Sequence, residues 1–234
     1  MRERGVMEPV LTKYMHVFDD DEDNQFKGTD LIEHRIVTGD AKPIRKAPYR
    51  VPFALRKEME NQVRGMLQKG VIEPSSSPWA APAILVPKKS PDGRPKYRFC
   101  VDFRALNAIT QFVTYPLPVF EETVATLHGS RFFSVIACYS GFWQVKIAEE
   151  DKVKTAFSVP CGHYNFLRLP YGLRNSAASF QRLITIVLRD LVGNECHVFI
   201  DGVIVYGNTI EEHARILGHV LERFERANLQ LQPI

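Results

Sequence analysis

A two-residue turn signal between two apolar runs is the feature that most restricts how this chain can fold. In HVFI-DG-VIVY, residues 197–206, Asp201 and Gly202 separate two stretches of strand-forming residues. Asp-Gly is a preferred pair for the type I′ turn, whose backbone twist matches that of antiparallel strands. The sequence therefore predicts an antiparallel hairpin over residues 197–206 with Asp201-Gly202 as its turn. Taken alone, the Asp-Gly pair need be no more than a favourable turn.

Helices are predicted on both sides of this hairpin. Apolar residues at helical spacing indicate an amphipathic helix over residues 54–70 and another over residues 210–227. The second of these opens with the capping box Thr209-x-x-Glu212. A further helix has its apolar side formed by Ala177, Phe180, Ile184, Val187 and Leu191.

Short strands complete the pattern. Apolar runs flank the turn sequence Ser-Pro-Asp-Gly, residues 90–93, and predict a second β-hairpin over residues 83–103. Three more strands are predicted over residues 132–137, 144–147 and 154–159. Because strands and helices intermix without strict βαβ alternation, the predicted fold class is α+β.

The composition is that of a folded domain. Hydrophobic residues make up 45% of the 234 residues and charged residues 24%, which is enough to bury a core. No run of about 18 apolar residues occurs, and the N-terminal residues lack the apolar centre of a secretory signal. We therefore expect a soluble intracellular protein without membrane contact. The cysteines follow no metal-binding pattern and are expected to be buried apolar fillers: Cys100, Cys138, Cys161 and Cys196.

Charge is distributed unevenly, although the formal net charge is only +3. Residues 1–40 contain the acidic run 19–24 and are predicted to be a solvated acidic linker. The tip and flanks of the hairpin over residues 83–103 carry many cations against Asp92 and Asp102. These cations are Lys88, Lys89, Arg94, Lys96, Arg98 and Arg104. Clustered cations are typical of a phosphate-binding surface, with a solvated hairpin face as the alternative.

Five sequence blocks stand in a fixed order along the chain. They are WAAPAILVPKKSPDGRPKYRFCVDFRALNAIT, YPLP, FFSVIACYSGFWQVKI, LPYGLRNSAASFQRL and FIDGVIVYGNTIEEH. Together they resemble the reverse transcriptase domain in the Pol polyproteins of gypsy-type long-terminal-repeat retrotransposons. The resemblance implies a right-hand polymerase with fingers over residues 41–131 and a palm over residues 132–234. It also implies that residues 1–40 are a spacer and that the thumb, which would begin near residue 234, is absent.

The resemblance implies partners as well. These are an RNA/DNA primer-template, an incoming deoxynucleoside triphosphate and the remainder of a Pol polyprotein. The chemistry uses two Mg²⁺ ions about 3.5–4 Å apart, and Mg²⁺ requires hard oxygen ligands. Reverse transcriptases supply them from one aspartate at the end of the first palm strand and two aspartates in an aromatic-x-Asp-Asp hairpin.

This sequence departs from the pattern at two of these three positions. FSVIACYSGF places Ala137 where the first aspartate is expected. In the hairpin, Asp201 matches the first aspartate, whereas Gly202 stands in place of the second. We therefore expect Asp201 to be the remaining catalytic carboxylate and metal ligand, Mg²⁺ to bind weakly and polymerisation to be impaired. Loss of catalysis need not mean loss of the fold.

Positions that the family uses for the nucleotide are retained. The resemblance assigns Lys88, Lys89 and Arg98 to the triphosphate, Phe142 to the ribose 2′-hydroxyl, and Tyr171 and Gly172 to a turn lining the nucleotide pocket. Charge-assisted bonds to phosphate are the physical basis for the cations. Phe142 is equally consistent with core packing, and Gln181 matches either a family position or a surface residue.

Three functions remain open at the level of sequence. The first is a reverse transcriptase domain that is catalytically impaired and still binds primer-template. The second is an active RNA-directed DNA polymerase that works in a heteromer or recruits other ligands, for which Asp102, Glu149 and Asp151 are the candidates. The third is a non-enzymatic scaffold that binds nucleic acid or protein.

Overall fold

The computed structural model describes residues 2–18, 28–89, 95–116, 127–199 and 202–232. Five α-helices lie in these ranges: α1 (Arg2–Lys13), α2 (Phe53–Gln68), α3 (Arg104–Ile109), α4 (Ser176–Val187) and α5 (Ile210–Arg226). The strands there are β1 (Thr29–His34), β2 (Ile72–Pro74), β3 (Ala81–Lys88), β4 (Lys96–Val101), β5 (Phe132–Ala137), β6 (Val145–Ile147), β7 (Phe157–Val159), β8 (Gly162–Phe166), β9 (Cys196–Phe199) and β10 (Gly202–Gly207). The fold class is α+β, as predicted.

A five-stranded sheet, in the order β2-β8-β7-β3-β4, carries the basic hairpin at its edge. β3 and β4 pair antiparallel along their whole length, and β3 pairs in parallel with β7 on its other side. The rings of Phe99 and Phe157 pack edge to face, 5.4 Å apart. The hairpin tip, residues 90–94, lies outside the described residues. Since β4 has no further strand beside it in the described part of the chain, its outer edge borders the cleft described below.

The amphipathic helix expected over residues 54–70 is α2, Phe53–Gln68. Its buried face is formed by Met59, Val63 and Met66, which stand at helical spacing in the sequence. Gly70 adopts a φ of +64°, the left-handed conformation that commonly follows the end of a helix. The chain then turns directly into β2.

A three-stranded sheet, in the order β5-β10-β9, has one buried and one open face. Val198, Val203 and Val205 point into the core, where α5 packs against β5 and β10. Phe133 and Val135 point the other way and are 50% and 75% exposed. Because side chains alternate between the two faces of a strand, β5 presents apolar side chains on the face where an exposed sheet usually carries polar ones.

The chain passes between the two larger sheets more than once. It leaves the five-stranded sheet after β4, forms β5 of the three-stranded sheet, and then returns to add β7 and β8 to the five-stranded sheet. A single boundary between residues 131 and 132, as expected from the sequence, therefore does not separate the two sheets. The sequence did not predict that the chain returns to the five-stranded sheet. The alternation of apolar and polar residues shows which face of a strand is buried and not which sheet the strand joins.

The segment before the acidic run is folded, in contrast to the linker expected over residues 1–40. α1 packs along α5, and Tyr14 and Val17, which follow α1, are each only 4% exposed. β1 pairs in parallel with β6. The acidic run itself, residues 19–24, lies outside the described residues. The sequence did not reveal this packing because the partner surface of α1 lies at the other end of the chain.

Two smaller expectations also need correction. α4 ends at Val187, so Leu191 is buried in the turns after the helix and not in the helix itself. Cys138 and Cys196 are buried as expected, and burial raises the pKa of the Cys196 thiol to about 12. Cys161, however, is exposed in the turn between β7 and β8, so it is no core filler.

Candidate active site

The two positions at which the resemblance predicts an aspartate are neighbours in space. In the antiparallel pairing of β5 with β10, Ala137 is the direct partner of Gly202. Cβ atoms of directly paired residues lie about 4.5–5.5 Å apart, so side chains at these two positions would share one site. What the structure brings together here is a methyl group and a glycine, with no oxygen ligand on either residue. Asp201 lies outside the described residues.

The hairpin between β9 and β10 has a different register from the expected one. Phe199 pairs with Gly202, so the two connecting residues are 200–201 and Gly202 is the first residue of β10. Gly202 is also not among the glycines with positive φ in the described residues. It therefore does not serve as the left-handed turn residue that the Asp-Gly pair suggested, and turn geometry does not explain why it is a glycine. The alternation of apolar residues could not show this difference. Moving the turn by one residue changes the pairing by two residues, and since side chains alternate with a period of two, each side chain keeps its face.

Gln144, a residue that the sequence did not single out, fixes the loop after β5. Its side chain is 0% exposed. The Nε2 amide donates to the carbonyls of Tyr139 and Gln230, each at 2.8 Å, and Oε1 accepts from the Gln230 amide at 2.8 Å. The Gln232 amide also donates to the Ala137 carbonyl at 2.8 Å. The end of β5 is thus tied to the segment that follows α5.

Phe142 belongs to an aromatic cluster at the start of this loop. Its ring centroid lies 5.0 Å from that of Tyr171 and 5.6 Å from that of the buried Phe180. Gly141 allows the close approach, because a Cβ at this position would lie 2.8 Å from Cζ of Phe180. Phe142 and Tyr171, two of the predicted nucleotide residues, are therefore in contact, and Phe142 also packs against the core. Gln181, the residue after Phe180 in α4, is buried, so its alternative as a surface residue is wrong.

The turn from Tyr171 to Asn175 is held by asparagines. Gly172 has a φ of +91°, and its carbonyl accepts a hydrogen bond from Asn107 Nδ2 at 2.8 Å. The Arg174 amide donates to Oδ1 of the same asparagine at 2.7 Å. Asn175, in the left-handed region at φ +68°, donates from Nδ2 to the Gln111 carbonyl at 2.8 Å. These bonds set the position of Tyr171; of the residues that make them, only Gly172 was predicted.

Lys88 and Arg98 lie on the exposed face of the β3–β4 hairpin and line a cleft together with Tyr171. The cleft has a volume of about 700 Å³ and is bounded on its far side by α2. Lys89 follows β3 and is exposed, but it does not line this cleft. The structure therefore places three of the six predicted nucleotide residues in the lining of one hollow between the hairpin, α2 and the loop after β5.

The carboxylates named above as alternative metal ligands each have other partners. Asp102 accepts two bonds from the Arg104 guanidinium, at 2.8 and 2.7 Å, and one from the Tyr49 hydroxyl at 2.6 Å. The hydrogen bonds from Arg104, and to a smaller extent the one from Tyr49, hold the pKa of Asp102 far below its usual range. Asp151 is buried, accepts from the Ile36 amide at 2.8 Å and pairs with Lys154. Glu149 pairs with Lys152.

Across the described ranges, no three His, Cys, Asp or Glu side chains are close enough together to hold a metal ion. None of the helices there is both long and apolar enough to cross a membrane. The site therefore combines a sheet whose paired positions lack ligands with an adjacent cleft that keeps its cations and aromatic rings.

The fold is that of the fingers and palm of a reverse transcriptase. The structure superposes on a foamy viral protease-reverse transcriptase in complex with an RNA/DNA hybrid with a TM-score of 0.86, at 24% sequence identity, over 99% of this chain and 30% of that one. At this level of identity the likeness defines the fold.

Sequence comparison defines the family. Residues 86–233 match the family described as reverse transcriptase (RNA-dependent DNA polymerase). The chain is 42% identical over 201 residues to the retrovirus-related Pol polyprotein from transposon opus of Drosophila melanogaster, which covers 86% of this chain and 20% of that protein. It is 37% identical over 198 residues to the Pol polyprotein from transposon gypsy of the same species, with coverages of 84% and 19%. The chain therefore belongs to the reverse transcriptase family and spans about a fifth of the length of these relatives.

Proposed function

We propose that this chain is a reverse transcriptase domain that binds an RNA/DNA primer-template and does not polymerise. The observation that carries the proposal is the pairing of Ala137 with Gly202 in β5 and β10. In a site built on this pairing, Asp201 is the remaining carboxylate. Two Mg²⁺ ions need several oxygen ligands held in fixed positions, and one side chain cannot supply them.

The residues present therefore do not fit a two-metal centre. The two carboxylates nearest in kind, Asp102 and Asp151, already form ion pairs with Arg104 and Lys154. Recruiting either would leave a cation unpaired and a carboxylate away from its partners.

Binding of primer-template is supported by the charge that remains. Lys88, Lys96 and Arg98 are exposed on one face of the β3–β4 hairpin, where they can contact phosphate. A protein of the same fold, the foamy viral enzyme, has been solved with an RNA/DNA hybrid. Since an RNA/DNA hybrid would be met inside the cell, the proposal includes an intracellular location. The remainder of a Pol polyprotein is a second proposed partner.

Restoration of the missing ligands tests the proposal. The variant Ala137→Asp, Gly202→Asp should gain Mn²⁺ binding, measured by calorimetry, that the parent chain lacks. Adding Asp201→Asn to the restored variant should remove the gained binding, which controls for unspecific attraction to new carboxylates. Primer extension is measured on the same proteins. Extension by the parent chain with Mg²⁺ would overturn the proposal, as would a well-folded restored variant that binds no metal.

A second candidate function is a protein-interaction scaffold, favoured by the open face of the three-stranded sheet. Phe133 and Val135 are exposed there, and Ala137 and Gly202 extend this face without a charge. A titration of an RNA/DNA hybrid at several salt concentrations separates the two functions. Phosphate contacts give affinity that falls steeply with salt, whereas weak binding that is independent of salt would favour the scaffold.

A further inference from the structure

A helical arm at the N-terminal end of the described chain is connected to the candidate site through the segment that follows α5. This N-terminal arm, residues 2–18, consists of α1 and the 3₁₀ turn Met15–Phe18. α1 packs along α5, where Cγ1 of Val10 would be 3.7 Å from a Cβ placed on Gly218. Since α5 also packs against β5 and β10, one helix links the arm to the three-stranded sheet.

The segment after α5, residues 228–232, lies between this arm and the end of β5. The Leu231 amide donates to the Val17 carbonyl at 2.8 Å, and the next amide, that of Gln232, donates to the Ala137 carbonyl at 2.8 Å. Leu231 is also the antiparallel bridge partner of Cys138. Neighbouring residues of an extended segment direct their amides to opposite edges. The arm therefore holds one edge of this segment, and the strand that carries Ala137 holds the other.

Further contacts fix the start of the segment. Asn228 adopts a φ of +54° and donates from Nδ2 to the Gly28 carbonyl at 3.0 Å. Leu229 and Leu231 are 2% and 0% exposed. Because a buried amide without an acceptor costs free energy, the Leu231 amide needs the Val17 carbonyl for the segment to keep this position.

The arm is attached mainly by apolar contacts. Val10 and Leu11 of α1 are partly buried against the core, whereas the side chains of the ion pair between His16 and Glu225 are 58% and 43% exposed. Exposed ion pairs contribute little to stability. α1 is also weak as an isolated helix, because it has only 12 residues and contains Pro9. A change that removes the apolar packing should therefore release the arm.

We propose that the N-terminal arm is a positioning element for the candidate site. While it is docked on α5, the arm holds residues 228–232 against the end of β5, which carries Ala137. When the arm is released, this end of β5 loosens, so a partner that displaces the arm acts on the site. The Tyr139 amide, which donates to the Gln230 carbonyl at 3.0 Å, reports on this end of the strand. The inference goes beyond the proposed function and does not depend on it, because the arm can be tested in the parent chain.

Hydrogen exchange in the full chain tests the inference. Val10→Asp places a carboxylate on the packed side of α1 and should release the arm, because burying an unpaired charge is costly. Exchange should become at least about tenfold faster at the Leu231, Gln232 and Tyr139 amides. Thr12→Asp, which adds the same charge at an exposed position of α1, is the matched control and should change these rates by less than about twofold.

The amides of the five-stranded sheet separate release of the arm from unfolding of the chain. Their exchange should stay unchanged in Val10→Asp. The milder Val10→Ala is measured in parallel and should accelerate the same amides by a smaller factor, so the test stands if Val10→Asp unfolds. Faster exchange in the arm with unchanged exchange at Tyr139 and Gln232 would overturn the inference, as would equal rates in Val10→Asp and Thr12→Asp.

Metal binding gives a readout that a role in packing alone would not change. In the restored variant Ala137→Asp, Gly202→Asp, the addition of Val10→Asp should weaken Mn²⁺ binding about tenfold, the usual effect of disturbing the groups that orient metal ligands. The conservative Val10→Ile should leave the affinity unchanged. An unchanged Mn²⁺ affinity with a released arm would also contradict the inference. If the restored variant binds no Mn²⁺, the proposed function fails, and the exchange measurements in the parent chain still decide the inference.

Discussion

The paired ends of β5 and β10 carry no side-chain oxygen at Ala137 and Gly202, whereas the cleft between α2 and β4 is lined by cations and aromatic rings. The difference follows from what each side chain also does for the fold. Phe99 lines the cleft and also packs on Phe157. Phe142 contacts the cleft residue Tyr171 and the buried Phe180. Both rings are therefore needed for packing. A carboxylate at position 137 or 202 would add charge to the end of a sheet and no packing. Substitution there therefore leaves the fold intact.

The largest expected effect is on the packing that the cleft shares with the core. Phe180→Ala should destabilise the chain by about 3–5 kcal/mol, the usual cost of removing a buried ring. The measurement is the free energy of unfolding in urea. Ile186→Ala, at an exposed position of the same helix, is the control and should cost far less. A similar cost for both would mean that the aromatic cluster is not a packing unit.

The next effect is on the pH dependence of stability. His34 is buried, hydrogen-bonded through Nδ1 to Ser179 at 2.8 Å, and burial lowers its pKa to about 4. The unfolded chain, with a histidine pKa near 6.5, binds the proton more readily, so stability is complete above that pH and falls as the pH drops towards 4. The loss should amount to about 3 kcal/mol. Urea unfolding at pH 7.5 and pH 4.5 measures it, and the loss should shrink in His34→Gln.

Gln144→Ala should have a smaller effect on stability and a local effect on structure. The substitution leaves two buried carbonyls and one buried amide without the partner described above, which costs about 1–3 kcal/mol. Hydrogen exchange should show faster exchange at the Tyr139 and Gln230 amides. Gln181→Ala, at a buried glutamine of α4, is the comparison and should not change exchange at these two amides. Unchanged exchange in Gln144→Ala would separate the loop from the segment after α5.

The smallest expected effect is on salt dependence. Arg98→Gln should lower the slope of log affinity for an RNA/DNA hybrid against log salt by about 0.7–0.9, the value for one phosphate contact. Arg226→Gln, in an exposed ion pair on α5, should leave the slope unchanged. Identical slopes in both variants would remove the hairpin from the proposed nucleic-acid surface.

The sequence predicted the features that depend on residue spacing within a single helix. One half of the capping box at Thr209 is present, with the Glu212 amide donating to Thr209 Oγ1 at 3.2 Å. The Glu212 carboxylate accepts from the amide of Asn208, one residue earlier than expected, at 2.8 Å. The buried face of α5 includes Leu217, Val220, Leu221 and Phe224, which stand at helical spacing in the sequence. These features depend on spacing within one helix, which the chain itself records.

Two kinds of feature could not be predicted from the sequence: a register that the apolar pattern does not distinguish, and contacts between distant residues. The register that pairs Phe199 with Gly202 leaves the same faces buried as the expected one, so the apolar pattern could not distinguish them. Gln144 has no local signal, because two of its three hydrogen bonds are to the backbone of Gln230, 86 residues further along the chain. The resemblance to the family singled out Ala137 and Gly202, and the strand register shows that these two residues pair directly.

The strand order of the five-stranded sheet has a consequence for how the protein is made. β7 and β8 lie between β2 and β3 in the sheet, although they follow both in the chain. Ala81 of β3 therefore cannot pair with Phe157 of β7 until residue 157 has been synthesised. During synthesis, β2 and the β3–β4 hairpin therefore emerge with unpaired inner edges, until more than half of the domain has been translated. Pairing across such separations makes folding slow, and open strand edges invite association with other chains. Nascent chains stalled before residue 157 should consequently depend on chaperones more than those that extend beyond residue 166.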